Sequence, residues 1–241
     1  MSRFDKYQTH GAYHWRELNP VNFRLFNPRL LARYQAIVQV VQQRLALSRA
    51  QGLDVGCGDG ALYERFRRLG ATMVGIDYDS TGLRAALDIM TGPLLAAASA
   101  NALPFPSDIF DFAVMSELIE HLQAPQPCLA ETVRVLKPRG VLVVTTPHRN
   151  PSGRLHSTEH VQEFDGQELE KLLKPRFQNV TVLGLHPLPL SRRYVSRSAG
   201  ARPLRWLVRV STLMGFNPFA RCGPLNGRPA WDHLIAVGEA R

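Results

Sequence analysis

The sequence predicts an α/β fold: a doubly wound sheet of seven strands with helices on both faces and an arginine-rich helical insertion before the last strand. Three observations predict it. Apolar runs of strand length alternate with stretches of helical periodicity across 51–185, the pattern of a mainly parallel sheet. The first run leads into Gly56-Cys57-Gly58, where residues without a Cβ let the chain turn sharply and pass close to a ligand. The second run ends in Asp77, nineteen residues beyond Gly58; in such a sheet an acid there meets ribose hydroxyls at the switch point.

The elements follow in order. Residues 1–28 are aromatic and polar with weak periodicity and read as an arm. Asn27-Pro28 is an N-cap followed by proline at the first helical position. Leu30, Leu31, Tyr34, Ile37, Val38, Val41 and Leu45 then recur at helical spacing, so a helix ends near Leu47. Strands are expected at 52–55, 72–76, 94–98, 110–115, 141–146, 180–185 and 234–237, and helices at 61–69, 80–89, 127–136 and 167–173. The last helix opens on Asp165-x-x-Glu168, which is like a capping box. The chain thus divides into an arm and helix on the substrate side (1–50), a cofactor-binding core (51–185), a basic insertion or lid (186–228) and a last strand completing the core (229–241).

Composition bounds the function. With 241 residues, 45% hydrophobic and 20% charged, the chain can bury a core without disulfides or metal staples. Cys57, Cys128 and Cys222 are odd in number and far apart, which excludes a zinc ribbon and points to a reducing, cytoplasmic location. The first residues lack the apolar stretch of a signal peptide, and no run of apolar residues is long enough to span a bilayer. The net charge of +9 is concentrated. Segment 186–228 holds Arg192, Arg193, Arg197, Arg202, Arg205, Arg209, Arg221 and Arg228 and no Asp, Glu or Lys, so an anionic partner or a solvated insertion is expected there.

Four stretches, LDVGCGDG, VGIDYDS, NALPFPSDIFDFAVMSELIEHL and LKPRGVLVVTTP, stand in this order between Gln51 and Val182. There the chain resembles the class I S-adenosylmethionine (SAM)-dependent methyltransferases. The resemblance implies a Rossmann-like seven-stranded sheet whose last strand is inserted antiparallel, and SAM as cofactor. It assigns Gly56, Cys57 and Gly58 to the methionine part of SAM, Asp54 to its amino group through the loop, Asp77 to the ribose, and Tyr78 to the adenine face. Ser99 stands where the family usually has an Asp facing the adenine amino group. It can still accept that bond, without the charge that strengthens it, and the Ala100 N–H can meet the ring. The resemblance leaves open a SAM-binding scaffold without activity.

The same resemblance places Ser116 and the residues after it near the sulfonium. Glu117, Glu120 and His121 lie at offsets that share one face of a helical turn. Three readings are open: a metal site, His121 acting alone as a base, and a charged helix start. Around Glu-x-x-Glu-His the chain also resembles the small-RNA 2′-O-methyltransferases and the quinone-biosynthesis O-methyltransferases. These pair the motif with a later histidine, which implies an O₂N₂ site of Glu117, Glu120, His121 and His160 for Mg²⁺, Mn²⁺ or Zn²⁺. His148 and His156 compete for the last position. Tyr13, His14 and Trp15 form either a lid or a packed arm.

For the acceptor, 202–216 predicts an amphipathic helix. Leu204, Trp206, Leu207, Val210, Leu213 and Met214 cluster on one side, with Arg205 and Arg209 at its border. Such a helix can lie at an anionic membrane surface or cover a pocket. The leading expectation is O-methylation of a small hydrophobic or lipid-like hydroxyl, peripheral to a membrane. RNA 3′-terminal 2′-O-methylation is the second, disfavoured by the absence of lysine in the basic segment and of an RNA-binding module. Oligomeric state is not legible.

Overall fold

The computed structural model describes residues 6–150, 152–196, 198–225 and 231–241. Arg197 and Arg228, two of the eight insertion arginines, lie outside these residues. Two short helices, α1 (Lys6–His10) and α2 (Tyr13–Leu18), precede α3 (Pro28–Gln42). The core alternates β1 (Gln51–Val55), α4 (Ala61–Arg68), β2 (Thr72–Asp77), α5 (Ser80–Leu87), β3 (Leu95–Ala97), β4 (Phe110–Ser116), α6 (Pro125–Val135), β5 (Leu136–Pro147), α7 (Gly166–Leu173) and β6 (Phe177–Pro187). After it come α8 (Leu188–Val195), α9 (Ala201–Leu213), β7 (Cys222–Gly223) and β8 (Trp231–Ala240).

The sheet runs β3-β2-β1-β4-β5-β8-β6-β7. Strands β1 to β5 are parallel, and β8 lies antiparallel between β5 and β6. The seven expected strands are present. An eighth, the two-residue β7, pairs with the end of β6 and is too short to leave a periodic signal. The arm, of weak periodicity in sequence, contains α1 and α2, each shorter than two turns, a length at which periodicity is invisible.

Local chemistry explains the positioning elements. The Asn27 side chain accepts from the backbone N–H groups of Arg29 at 3.1 Å and Leu30 at 3.3 Å, capping α3. The helix buries Leu30, Tyr34, Ile37 and Val41 in one core, with Phe66 and Phe112. Each buried aliphatic side chain contributes about 1.5–3 kcal/mol. Asp165 and Glu168 form the expected capping box at the start of α7. A second core on the other side gathers Leu53, Met115, Ile119 and Leu169. The insertion has a small core of its own: Tyr194, Val208 and Phe219 close on Ala32 of α3. That contact brings α8 and α9 beside the acceptor side of the sheet.

Helix α9 turns most of its expected apolar side, Trp206, Leu207, Leu213 and Met214, outward. Its inward face is Ala201, Val208 and Thr212, with Leu204 partly buried. Arg205 donates to the Ser196 carbonyl at 2.6 Å, and Arg209 donates to the Phe26 carbonyl at 2.8 Å. Both arginines therefore hold backbone and do not border a free basic edge.

Candidate active site

A cavity of about 1640 Å³ opens at the carboxyl ends of β1, β2 and β4 and continues to α3 and the start of β8. Such a position is where a doubly wound sheet binds ligands. Its cofactor half is built by the glycine turn. Gly56, Gly58 and Gly60 all have positive φ (77°, 53° and 72°), a backbone that side-chain-bearing residues avoid. At Gly58 a Cβ would also stand 1.8 Å from the Tyr7 hydroxyl.

Asp54, Gly56, Cys57, Asp77, Tyr78, Ser99, Ala100 and Ser116 all line the cavity, as expected. Gly58 is turned to other work: its N–H donates to Asp77 at 2.8 Å. The other Asp77 oxygen accepts from the Asp79 N–H, also at 2.8 Å. Burial raises the Asp77 pKa despite these bonds. Tyr78, expected on the adenine face, stands at the rim and is 85% exposed. Asp54 is buried, and its Oδ2 has no hydrogen-bond partner among the described residues. Burial, then the charge of Asp77, push its pKa up to about 8. A buried acid with one unpaired oxygen in an acid-rich wall fits the cationic ammonium of SAM.

The arm closes this half. The His14 N–H and Nδ1 each lie 3.0 Å from a carboxylate oxygen of the buried Asp59, and Trp15 Nε1 donates to the Asp59 carbonyl at 2.7 Å. These contacts fasten α2 across the glycine turn.

The acceptor half begins at SELIEHL. The segment is not one helical turn. Glu117 has φ 57°, so the chain bends at the end of β4, and only Ile119–His121 form a tight 3₁₀ turn. Glu120, His121 and His160 come together, with potential ligand atoms within 4.8 Å of one another. Glu117, the fourth expected ligand, is not in that group. Its Oε2 lies 3.0 Å from Arg33 Nη1 and 3.1 Å from His233 Nε2, so two cations already claim it.

The trio is supported from behind. Glu120 is fully buried; one oxygen accepts from Thr146 Oγ1 at 3.0 Å, and Oε1 has no hydrogen-bond partner among the described residues. Burial, then the charge of Glu117, raise its pKa well above the usual carboxylate range. His160 Nδ1 lies 2.7 Å from Glu163, and His121 Nδ1 lies 3.1 Å from the Glu159 carbonyl. Histidine ligands to metals are commonly fixed by such second bonds. His156 and His148, the competitors for the last position, bond elsewhere: His156 to Glu163 and His148 to the Trp231 carbonyl. An orphaned carboxylate oxygen beside two oriented imidazoles fits a divalent ion.

Next to the trio runs an alternating chain of charge that sequence reasoning missed. Arg29 pairs with Asp232, Asp232 with His233 Nδ1 at 3.0 Å, His233 with Glu117, and Glu117 with Arg33. Burial opposes every charge here, but the neighbours outweigh it. Arg33 and His233 hold Glu117 far down, His233 and Arg29 hold Asp232 down, and Glu117 and Asp232 raise His233. A signal existed. Arg29 and Arg33 are four apart on the helix side that carries Leu30 and Tyr34. The pair Asp232-His233 opens the last strand, which, being antiparallel, starts at the carboxyl edge.

Known proteins resemble this chain in sequence and in fold. Residues 53–144 match the family described as a methyltransferase domain. A ubiquinone biosynthesis O-methyltransferase of Psychrobacter cryohalolentis is 27% identical over 206 residues, covering 74% of this chain and 78% of that protein. One of Rhodopseudomonas palustris is 38% identical over 101 residues, 41% of this chain and 40% of that protein. Among solved structures, a SAM-dependent methyltransferase of Thermotoga maritima, described as a possible histamine N-methyltransferase, superposes with a TM-score of 0.62 at 18% identity. It covers 95% of this chain and 99% of that one. Phosphoethanolamine N-methyltransferase 2 of Haemonchus contortus, solved with SAM, gives 0.64 at 16% identity over 98% of this chain and 58% of that one.

Proposed function

Because this chain is a class I SAM-dependent methyltransferase, we propose that it methylates a hydroxyl oxygen on a small hydrophobic or lipid-like acceptor, assisted by a divalent ion. The observation that carries the reading is the Glu120, His121 and His160 trio beside the end of β4. An amine attacks an activated methyl group once it is placed in line, and needs no ion. A hydroxyl must lose its proton, and a trio of this kind serves that need. The names of the relatives, ubiquinone biosynthesis O-methyltransferases, support oxygen as the acceptor atom.

The residues divide the work. SAM supplies a methyl group already activated on sulfur. Asp54 binds the methionine end of SAM, and Asp77 holds the glycine turn in shape through Gly58 and Asp79. Glu120, His121 and His160 would hold the ion, which when bound supplies a Lewis acid that lowers the pKa of a neighbouring hydroxyl. Glu163 and Thr146 keep His160 and Glu120 in orientation. Arg33 and His233 keep Glu117 ionised and turned away from the trio, so it does not compete for the acceptor proton.

The test is methyl transfer from labelled SAM to a catechol-type phenol and to a primary amine, with and without chelator. Transfer to the phenol, abolished by chelator and restored by Mg²⁺, Mn²⁺ or Zn²⁺ while SAM binding persists, is the expected result. Full activity in excess chelator, or preference for the amine, overturns it.

A further inference from the structure

The outward face of α9 is apolar, and no other element of the described residues covers it. Arg202, Trp206, Val210 and Met214 are spaced by four along one side, with Leu207 and Leu213 beside them. Trp206 is 55% exposed and Met214 82% exposed, and Phe216 lies exposed just beyond the helix. The Arg209–Phe26 and Asn217–Pro28 bonds bring the 21–28 loop alongside, and that loop exposes Val21 and Leu25. A soluble surface rarely leaves so many large apolar side chains contiguous without a partner. The helix is anchored from behind by Val208 and by Arg205 and Arg209.

Charge selects the partner. Arg192, Arg193, Arg202 and Arg221 are exposed on this insertion, and 186–228 contains no acidic residue to answer them. A second copy of the chain would bring the same uncompensated charge to the contact. A folded partner would need acids placed to match, whereas a bilayer with anionic headgroups supplies negative charge at the rim and an apolar bed for Trp206, Leu207 and Met214 at once. We infer that the outer face of α9, with the tip of the 21–28 loop, is a membrane-docking surface for bilayers containing anionic phospholipid. The exposed Val195 at the end of α8 also lines the acceptor cavity, so a docked enzyme has its cavity beside the membrane. The surface goes beyond the reaction proposed above and stands whichever atom is methylated.

Co-flotation without SAM or metal tests it separately from activity. The full chain should float with vesicles of phosphatidylcholine containing one-third phosphatidylglycerol and stay behind with pure phosphatidylcholine. The triple variant Trp206→Ser, Leu207→Ser, Met214→Ser should lose at least tenfold in partitioning and Arg202→Gln about fivefold, with SAM affinity and melting temperature unchanged in both. Brominated-lipid quenching of tryptophan fluorescence should disappear in Trp206→Phe, a variant too mild to disturb folding. Three outcomes overturn the inference: no flotation of the natural chain, undiminished flotation of the triple variant, or a concentration-dependent dimer that the triple variant abolishes. So does vesicle binding that is insensitive to the apolar residues and matched by single-stranded RNA, since charge alone would explain it.

Discussion

His160 Nδ1 stands 2.7 Å from a carboxylate oxygen of Glu163, a residue with no exposed side-chain surface. Glu163 also takes the His156 N–H at 2.6 Å and His156 Nδ1 at 2.9 Å. Burial opposes the Glu163 charge, yet these bonds keep its pKa below the ordinary value. In the proposed ion site it would aim His160. Glu163→Gln should therefore weaken binding of Mn²⁺ or Zn²⁺ by about 10–100-fold, with SAM affinity unaltered, as titration calorimetry would show. Equal ion affinity in the variant would remove Glu163 from the site.

SAM binding should depend on pH through Asp54. Its carboxyl, pushed up to about 8, keeps its proton in the ligand-free protein at neutral pH. The ammonium of SAM favours the ionised form, so binding expels that proton. Affinity should rise with pH, by at most about tenfold per unit, and level off above the folded-state value. Asp54→Asn should bind weakly at every pH and show no slope. The sign for stability is opposite. Between the ordinary value of 3.8 and about 8, the unfolded chain is ionised while the folded one is not, so the ligand-free fold should lose stability as pH rises. A SAM affinity that is flat with pH in the natural chain contradicts the assignment.

The arm should govern how fast SAM leaves. The His14 and Trp15 bonds to Asp59 close α2 over the glycine turn. His14→Ala removes a side-chain bond worth about 1 kcal/mol, and SAM dissociation in stopped flow should accelerate about fivefold. Association should change little. An unaltered off-rate would mean that the arm stays shut during exchange.

Arg33 should matter more to folding than its place on a helix suggests. Its guanidinium neutralises Glu117, whose second oxygen has no hydrogen-bond partner among the described residues. Arg33→Ala leaves a half-buried carboxylate with His233 alone and should cost about 1–3 kcal/mol, read as a fall in denaturant midpoint. Adding Glu117→Gln should recover much of the loss. If the double variant is no more stable than the single, the pair does not act as a unit.

The cofactor half was legible because its parts are close in sequence: a strand, a glycine turn and an acid at the end of the next strand. The acceptor half was legible only in part. Glu120, His121 and His160 were found from spacing and resemblance, but a helical reading grouped Glu117 with them. The positive φ at Glu117 breaks that periodicity, and nothing in the residue itself announces it. Arg29, Arg33, Asp232 and His233 were missed because they are joined across about the whole chain by the antiparallel register of β8, which local pattern does not report. Arg205 and Arg209 were read as surface charge because long cationic side chains are usually exposed. Here the backbone carbonyls of Ser196 and Phe26 draw them inward.

The placement of β8 has a consequence for how the protein comes into being. The final strand is hydrogen-bonded on both sides, and its first residues carry Asp232 and His233 into the cavity. A ribosome that has released everything up to β6 has made the whole cofactor half and no finished acceptor half. A chain broken between Pro187 and Trp231 should therefore be silent in methyl transfer while still able to sequester SAM, so competence arrives in a single step when β8 joins the sheet.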